Sequence, residues 1–163
     1  PLEQADGFPF HHIHATGSFG KEWMPKRVMD NGVDWKSCPA LDIREYIYDM
    51  PTVMAAADIV IGRAGSATCN EIGASGTPCI LIPSPNVTNN HQEKNARVLE
   101  AAGGAGGVLE KDCTPGKLYE LIRSLLADED RRREMSRKLH TMVRLDSAER
   151  ICDIVEQLTQ SEK

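Results

Sequence analysis

No apolar run in the sequence approaches the ~20 residues that a membrane-spanning helix needs, and the opening residues show neither a basic n-region nor an apolar h-region. If a membrane matters to this chain, the chain lies beside it. Basic charge is also in short supply. With 19 Lys and Arg against 24 Asp and Glu, the net charge is −5, which supplies no general basic face for neutralising phosphates and argues against nucleic acid as a main partner. Local anion sites stay open. The five cysteines, Cys38, Cys69, Cys79, Cys113 and Cys152, are odd in number, widely spaced and without a C-x-x-C pair. They read as reduced cytosolic thiols, with Cys79 in the core, rather than as a disulfide framework or a zinc site. H-E-x-x-H, G-x-S-x-G and the Walker loop are all absent. No nucleophile or general base announces itself, so the chain reads as a half-site that binds and orients, with no catalytic residue, metal or other cofactor of its own.

What is present is a soluble-type composition, 40% hydrophobic over 163 residues, enough for one domain, 1–163, with a sizeable core. Apolar runs alternate with helical patterns and turn signals, the sequence form of an α/β fold with a Rossmann-like parallel sheet flanked by helices. Strands are expected near Phe10 to His14, Leu41 to Tyr46, Ile59 to Ile61, Cys79 to Ile82 and Gly107 to Leu109. Helices are expected from Glu22 to Asp30, Thr52 to Ala56, Ala67 to Ser75 and His91 to Ala102, the last closed by the glycines of "AAGGAGG". Thr114 and Pro115 are an N-cap and a first helical residue. Two more helices follow in "DEDRRREMSRKLHTMV" and "SAERICDIVEQL", the second opening on the capping box Asp146 to Glu149. Arg131 to Arg133 read as a solvated helix face. The opening "PLEQADGFPF" looks like the end of a helix leading into a strand, so the expectation is a fragment that lacks its first βα unit.

In an open α/β sheet, ligands bind beyond the carboxyl ends of the strands, where loops lead into helix N-termini. "IVIGRAGSATCNEI" is such a junction. Gly62 and Gly65 would let the backbone turn sharply and approach a ligand, and the N–H groups of Ser66, Ala67 and Thr68 would face an anion such as a diphosphate. Thr68 and Glu71 also form a T-x-x-E capping box that needs no ligand, and on local pattern the two readings are level. Glu71, one turn into the helix, is placed to accept hydrogen bonds from both hydroxyls of a ribose. "PSPNVTNNHQEKNA" follows the next strand onto the same edge. Its Asn86, Asn89, Asn90, His91, Gln92 and Asn95 offer paired donors and acceptors suited to sugar hydroxyls, while Asn90 and Glu93 can equally cap the next helix. In "HHIH", His12 and His14 share a strand face, a spacing that could hold a metal. With no third ligand nearby, edge-of-core histidines are the favoured reading.

Taken together, "MAAADIVIGRAGSATCNEIGASGTPCILIPSPNVTNNHQEKNARVLEAAGGA" resembles the C-terminal domain of the MurG family, the UDP-N-acetylglucosamine:N-acetylmuramyl-(pentapeptide) pyrophosphoryl-undecaprenol N-acetylglucosaminyltransferases. The resemblance rests on R-[SA]-G-x-x-T-x-x-E, then G-x-P, then H-Q-x-x-N, in order and at the family's spacing, and is strong from about Tyr46 to Ala105. It implies the C-terminal, donor-binding half of a two-domain GT-B glycosyltransferase, a fold that generally works without a bound metal. By position, it implies that the backbone around Ile47 contacts uracil. Ser66, Ala67 and Thr68 would hold the diphosphate at the helix N-terminus, Glu71 would take the ribose hydroxyls, and His91 and Gln92 would face the N-acetylglucosamine, with Arg63, Gly65 and Asn95 also among the residues expected to bind UDP-N-acetylglucosamine. Three features depart from the family. It often has Gln where His91 stands, and a charged or aromatic residue in place of the polar "NVTNN" loop. The Gly-rich phosphate loop after the family domain's first strand is absent here.

The reaction implied is inverting transfer of N-acetylglucosamine from UDP-N-acetylglucosamine to the C4 hydroxyl of the muramyl sugar of lipid I, giving lipid II. The family's proposed general base, its lipid I site and its peripheral membrane contact lie in the N-terminal domain, outside this sequence. The implied location is the cytoplasmic, inner face of a bacterial cell membrane, and the chain alone is expected to bind donor weakly and not to catalyse. Three other readings are a donor domain of another UDP-sugar-dependent lipid glycosyltransferase, a subunit acting with a separate membrane-bound half, and a Rossmann-like domain that binds no nucleotide.

Overall fold

The computed structural model describes residues 10–160. The expected helix end at the start of the chain falls on residues 1–9 and so lies outside the described residues. Among the described residues, five short strands alternate with helices and every ladder is parallel, as βα units joined by crossovers require. The chain divides after Met50 into two compact units.

The first unit contains β1 (His12–Ala15), α1 (Gly17–Gly20), α2 (Trp23–Asp30) and β2 (Leu41–Arg44). β1 and β2 pair from His12 opposite Leu41 to Ala15 opposite Arg44. Alternating burial along β1 places His12 and His14 on its half-buried face, their rings edge to face with centroids 5.4 Å apart. Burial holds both imidazoles below the ordinary histidine range, and for His12 the neighbouring His14 adds to the effect. Beyond β2, Arg44 pairs with Asp42 at 2.7 Å and with Asp49 at 3.5 Å, tying the following loop to the strand end. In that loop Ile47 is buried while Tyr46 and Tyr48 on either side are exposed.

α3 (Met50–Ala56) crosses the division. The second unit continues with β3 (Val60–Gly62), α4 (Ser66–Ser75), β4 (Cys79–Leu81), a 3-10 turn (Thr88–Asn90), α5 (His91–Ala101) and β5 (Ala105–Gly107). A second 3-10 turn (Glu110–Asp112), α6 (Pro115–Ala127), α7 (Glu129–His140) and α8 (Ser147–Gln160) complete it. The strand order is β3-β4-β5. The middle strand β4 is buried along its whole length, which is why "CIL" is apolar without alternation. Ile80 meets Leu125 of α6 and Met135 of α7, with Ile59, Leu118, Leu121 and Ile122 packed around them.

Three glycines make a seat for α7 and the turn after it. A Cβ on Gly73 would lie 2.2 Å from Val143, one on Gly76 2.2 Å from the His140 ring, and one on Gly104 2.9 Å from Leu139. Gly76 has a second reason to be glycine. It ends α4 in the left-handed conformation, φ +66°, with its N–H donating to the Ile72 carbonyl.

Most expected elements appear within two residues of their positions. Thr114 caps α6 by accepting from the Lys117 N–H, with Pro115 as the first helical residue, and Gly103 turns out of α5 at φ +77°. α3 starts two residues before its expected position, because Pro51 is no obstacle in a first helical turn. β5 forms over Ala105–Gly107 rather than Gly107 to Leu109, since a run of alanine and glycine carries no alternation to mark its register. In place of one parallel sheet, the described residues form two, β1-β2 in the first unit and β3-β4-β5 in the second. Periodicity marks which residues can be strands, whereas pairing is set by the crossovers, which leave no local signature. The arginine run is mixed. Arg133 pairs with Glu129 on the surface, but Arg132 donates to the carbonyls of Leu125 and Leu126 and so closes the C-terminus of α6. No helix among the described residues is long and apolar enough to cross a membrane.

The Cys79 thiol gives a test of this core. Burial, with a smaller effect from Cys69, pushes it up to about 12 from an ordinary 9.0. Between those values the unfolded chain has lost a proton that the folded chain keeps, so stability falls as pH rises through the window. Urea midpoints for wild type and Cys79→Ala across that window should converge with rising pH, the wild type losing up to ~1.4 kcal/mol more per pH unit. Parallel curves would refute the assignment.

Candidate functional site

The candidate site lies in the second unit, at the carboxyl ends of β3, β4 and β5. β3 runs into "GRAG" and then α4, and its first intrahelical bond is Cys69 N–H to Gly65 carbonyl, 2.9 Å. Gly65 is therefore the N-cap, with φ −66° and ψ 153°, and no side chain caps the helix. Ser66, Ala67 and Thr68 occupy the first three helical positions, where N–H groups have no intrahelical acceptor. The T-x-x-E capping box is thereby corrected: Thr68 sits three residues inside the helix, so it cannot be the cap. The notion that Gly62 and Gly65 are needed for a sharp turn is corrected as well. Neither has a positive φ, and added Cβ atoms would meet protein only at ordinary contact distance, 3.7 Å and 3.9 Å. Nothing among the described residues demands glycine there.

Glu71 projects one turn further along α4. It is exposed, and among the described residues its carboxylate has neither a hydrogen bond nor an ion pair. Four acceptor lone pairs thus face solvent beside three unused N–H donors, a pairing suited to a ligand that carries an anion and hydroxyls together.

The loop leading into α4 is clamped from two sides. Arg63 donates to the Ile82 carbonyl, 3.1 Å, beyond the end of β4, and pairs with Glu110 in the turn after β5. Its guanidinium bridges three strand ends, although the side chain remains about half exposed, at 53%. From α5, Asn95 Nδ2 donates to the Ala64 carbonyl, 3.0 Å. One turn earlier, Gln92 Oε1 accepts from the Ser84 N–H, 2.9 Å, fixing the loop after β4. His91 Nδ1 lies 2.9 Å from the Thr88 carbonyl. For the ring to donate there Nδ1 must carry the proton, which turns a neutral imidazole's Nε2 outward as an acceptor.

The approach to α5 is unusual. Asn89 and Asn90 both have positive φ, 54° and 52°, so the chain makes two consecutive left-handed steps without glycine. Asn90 is the N-cap, as its sequence suggests, but its amide donates to the Glu93 carboxylate, 2.6 Å, instead of accepting from a backbone N–H. Glu93 also pairs with Arg97. Its carboxyl is held below the ordinary range by the Asn90 bond first and the Arg97 bond second.

Of the residues expected to bind a ligand, the second unit brings together Arg63, Gly65, Ser66, Ala67, Thr68, Glu71, His91, Gln92 and Asn95 on the elements that meet at these strand ends. Ile47 belongs to the first unit. Sequence reasoning missed Glu110, Ser84, Thr88 and the Ala64 carbonyl, the partners that hold Arg63, Gln92, His91 and Asn95. Backbone groups carry no side-chain signal, and Glu110 ends an unremarkable "GGVLE".

Parallel strands whose carboxyl ends open onto a helix start without a side-chain cap define a Rossmann-like α/β domain, and solved GT-B glycosyltransferases share this fold. A crystal structure of Acinetobacter baumannii MurG matches with a TM-score of 0.75 at 23% identity, covering 89% of this chain and 40% of that one. The calicheamicin glycosyltransferase CalG4 matches at 0.66 and 20%, covering 91% and 35%. The chain belongs to the glycosyltransferase family 28 C-terminal domain family, whose model matches residues 1–154. Two similar relatives carry the name UDP-N-acetylglucosamine–N-acetylmuramyl-(pentapeptide) pyrophosphoryl-undecaprenol N-acetylglucosamine transferase. The one from Acetivibrio thermocellus is 40% identical over 152 residues, covering 93% of this chain and 40% of the relative. The one from Caldanaerobacter subterraneus is 48% identical over 150 residues, covering 92% and 41%. The chain thus spans about two fifths of the length of these curated relatives.

Proposed function

We propose that this chain is the UDP-N-acetylglucosamine-binding domain of the inverting N-acetylglucosaminyltransferase that converts lipid I to lipid II. In this reading the two units act as one domain within a longer protein. Ser66, Ala67 and Thr68 receive the diphosphate and Glu71 the ribose hydroxyls. His91 and Gln92 face the sugar, and Ile47 keeps the uracil contact that the resemblance gives it. The observation that carries the reading is the uncapped start of α4 beside the unpartnered carboxylate of Glu71, on a fold whose similar relatives are named for this transfer.

The chemistry asked of the domain is electrostatic. The bond between the anomeric carbon and the diphosphate oxygen breaks, a bond to the acceptor's C4 oxygen forms on the opposite face, and the hydroxyl proton passes to a base outside this sequence. UDP departs with added negative charge, which first-turn N–H groups stabilise without reorganising. Acceptor binding and peripheral contact with the inner face of the membrane are assigned to the remainder of the longer protein.

Calorimetric titration of the protein with UDP-N-acetylglucosamine, UDP-glucose and UDP-galactose tests the proposal. Preference for the first is the expected result. Equal affinities would favour another UDP-sugar-dependent lipid glycosyltransferase, and absence of any uridine nucleotide binding would remove the nucleotide site altogether.

A further inference from the structure

We propose that His12 and His14 form an acid-sensitive clasp in the first unit. With both rings neutral they pack together on the half-buried face of β1, and their protonation opens the β1-β2 pair while the second unit stays folded. The device is separate from the donor site and does not depend on that reading.

β1 is four residues long, and its alternation puts the two imidazoles on one face. Their ring centroids are 5.4 Å apart at an interplanar angle of 79°, an edge-to-face contact that suits uncharged rings. Across the ladder stand Leu41, opposite His12, and Ile43, opposite His14, both half-buried. No carboxylate is placed to receive a positive charge. Asp42 lies on the other, exposed face of β2 and is bound to Arg44, which stands opposite Ala15 and also pairs with Asp49. Lys21 and Glu45 pair with each other at the surface. His11 is exposed and α1 has no charged side chain. Lys26, Arg27 and Asp30 of α2 are exposed, its half-buried residues being Met24, Pro25 and Val28, and Asp34 and Lys36 in the loop before β2 are exposed too. Among the described residues neither ring has a hydrogen-bond or ion-pair partner. Burial lowers both imidazoles, and the one charge that acts on either is that of His14 on His12.

Little else in the first unit opposes opening. Ile47 is its one buried apolar side chain among the described residues, whereas Ile72, Ile80, Leu81, Leu125 and Leu139 all lie in the second unit. Two short strands with so small a core open more readily than a three-stranded sheet under packed helices. Both rings bind a proton less readily in the paired strands than in the open chain, so the pairing is complete above the ordinary pKa of 6.5 and is lost as pH falls below it. Each proton taken up on opening raises the opening constant by up to about tenfold per pH unit, and two protons raise it by up to about a hundredfold.

Amide hydrogen exchange reads the two units separately. The His12 N–H donates to the Ala40 carbonyl at 2.8 Å and the Thr16 N–H to the Arg44 carbonyl at 2.9 Å, one at each end of the first ladder. The Val60 N–H to the Pro78 carbonyl and the Ile82 N–H to the Gly62 carbonyl, both 2.9 Å, bracket the β3-β4 ladder. Between about pH 7.5 and about pH 5.5, protection at His12 and Thr16, corrected for the intrinsic pH dependence of exchange, should fall at least about tenfold while that at Val60 and Ile82 holds. A double variant, His12→Gln with His14→Gln, should keep its protection at both positions across that range. If the double variant does not pair even at the higher pH, His14→Gln alone decides. Protection at Thr16 must then fall by a smaller factor than in wild type, and the His12 ring must titrate at a higher pH by NMR. Unchanged protection of His12 and Thr16 in wild type overturns the proposal, as does an equal loss in both units or a loss that persists undiminished in the variants.

Discussion

Glu71→Ala is expected to weaken UDP binding roughly ten- to a hundredfold while leaving the fold intact. The fold should survive because the Glu71 carboxylate is exposed and has no protein partner among the described residues, and alanine is the best helix former at such a position. Surface changes of this kind usually stay within about 0.5 kcal/mol. The ligand side loses more. Two ribose hydroxyls donating to one carboxylate are charge-assisted hydrogen bonds, each worth about 1.5–3 kcal/mol where solvent is excluded, and 1.4 kcal/mol is a factor of ten in affinity. Partial solvation on an exposed helix face keeps the expected total below the sum of the two, at about 1.4–2.8 kcal/mol. A dideoxyuridine diphosphate lacking both hydroxyls completes the cycle, because it should bind wild type and Glu71→Ala alike. If UDP bound Glu71→Ala as tightly as wild type, the ribose role would be lost, and with it the best reason to read this helix start as a nucleotide site.

The parts of the molecule that were legible in the sequence are those whose cause is local. Thr114-Pro115 specifies a helix start by itself, since the threonine hydroxyl needs only the N–H three residues on. Glycine at position 103 specifies a helix end, because few other residues take its φ. The start of α4 was harder, since T-x-x-E serves equally as a capping box or as the first turn of a helix capped upstream. Backbone geometry at Gly65 decides between them, and composition does not report it. Least legible were the bonds between distant segments. Asn95 with Ala64 and Arg63 with Glu110 join residues 31 and 47 apart, and nothing in either partner's neighbourhood points to the other. The motif positions that the resemblance marks therefore divide by their protein partners: the N–H groups of Ser66 to Thr68 and the Glu71 carboxylate have none among the described residues, whereas Arg63, Gln92 and Asn95 each also hold a loop of the site.

That division makes the support under α4 as consequential as its exposed face, and Leu139→Ala is the substitution expected to undermine it most. Leu139 is fully buried on α7, which packs against α4, and its side chain fills the space left by the missing Cβ of Gly104. Truncation removes three carbons from this seat and leaves a cavity that the neighbouring glycine backbone cannot fill, at a cost of about 2–5 kcal/mol. Against a typical total of about 5–15 kcal/mol for a domain, the loss should lower the urea midpoint by on the order of 1–2 M. Leu139→Met, which nearly conserves volume, should cost less than about 1.5 kcal/mol. The same seat links stability to ligand. If α7 holds α4 in its binding position, UDP at a hundredfold excess over its dissociation constant should return about 2.7 kcal/mol to either form, raising the Leu139→Ala midpoint towards that of unliganded wild type. A Leu139→Ala midpoint indistinguishable from wild type would mean that α7 is not the prop this packing describes.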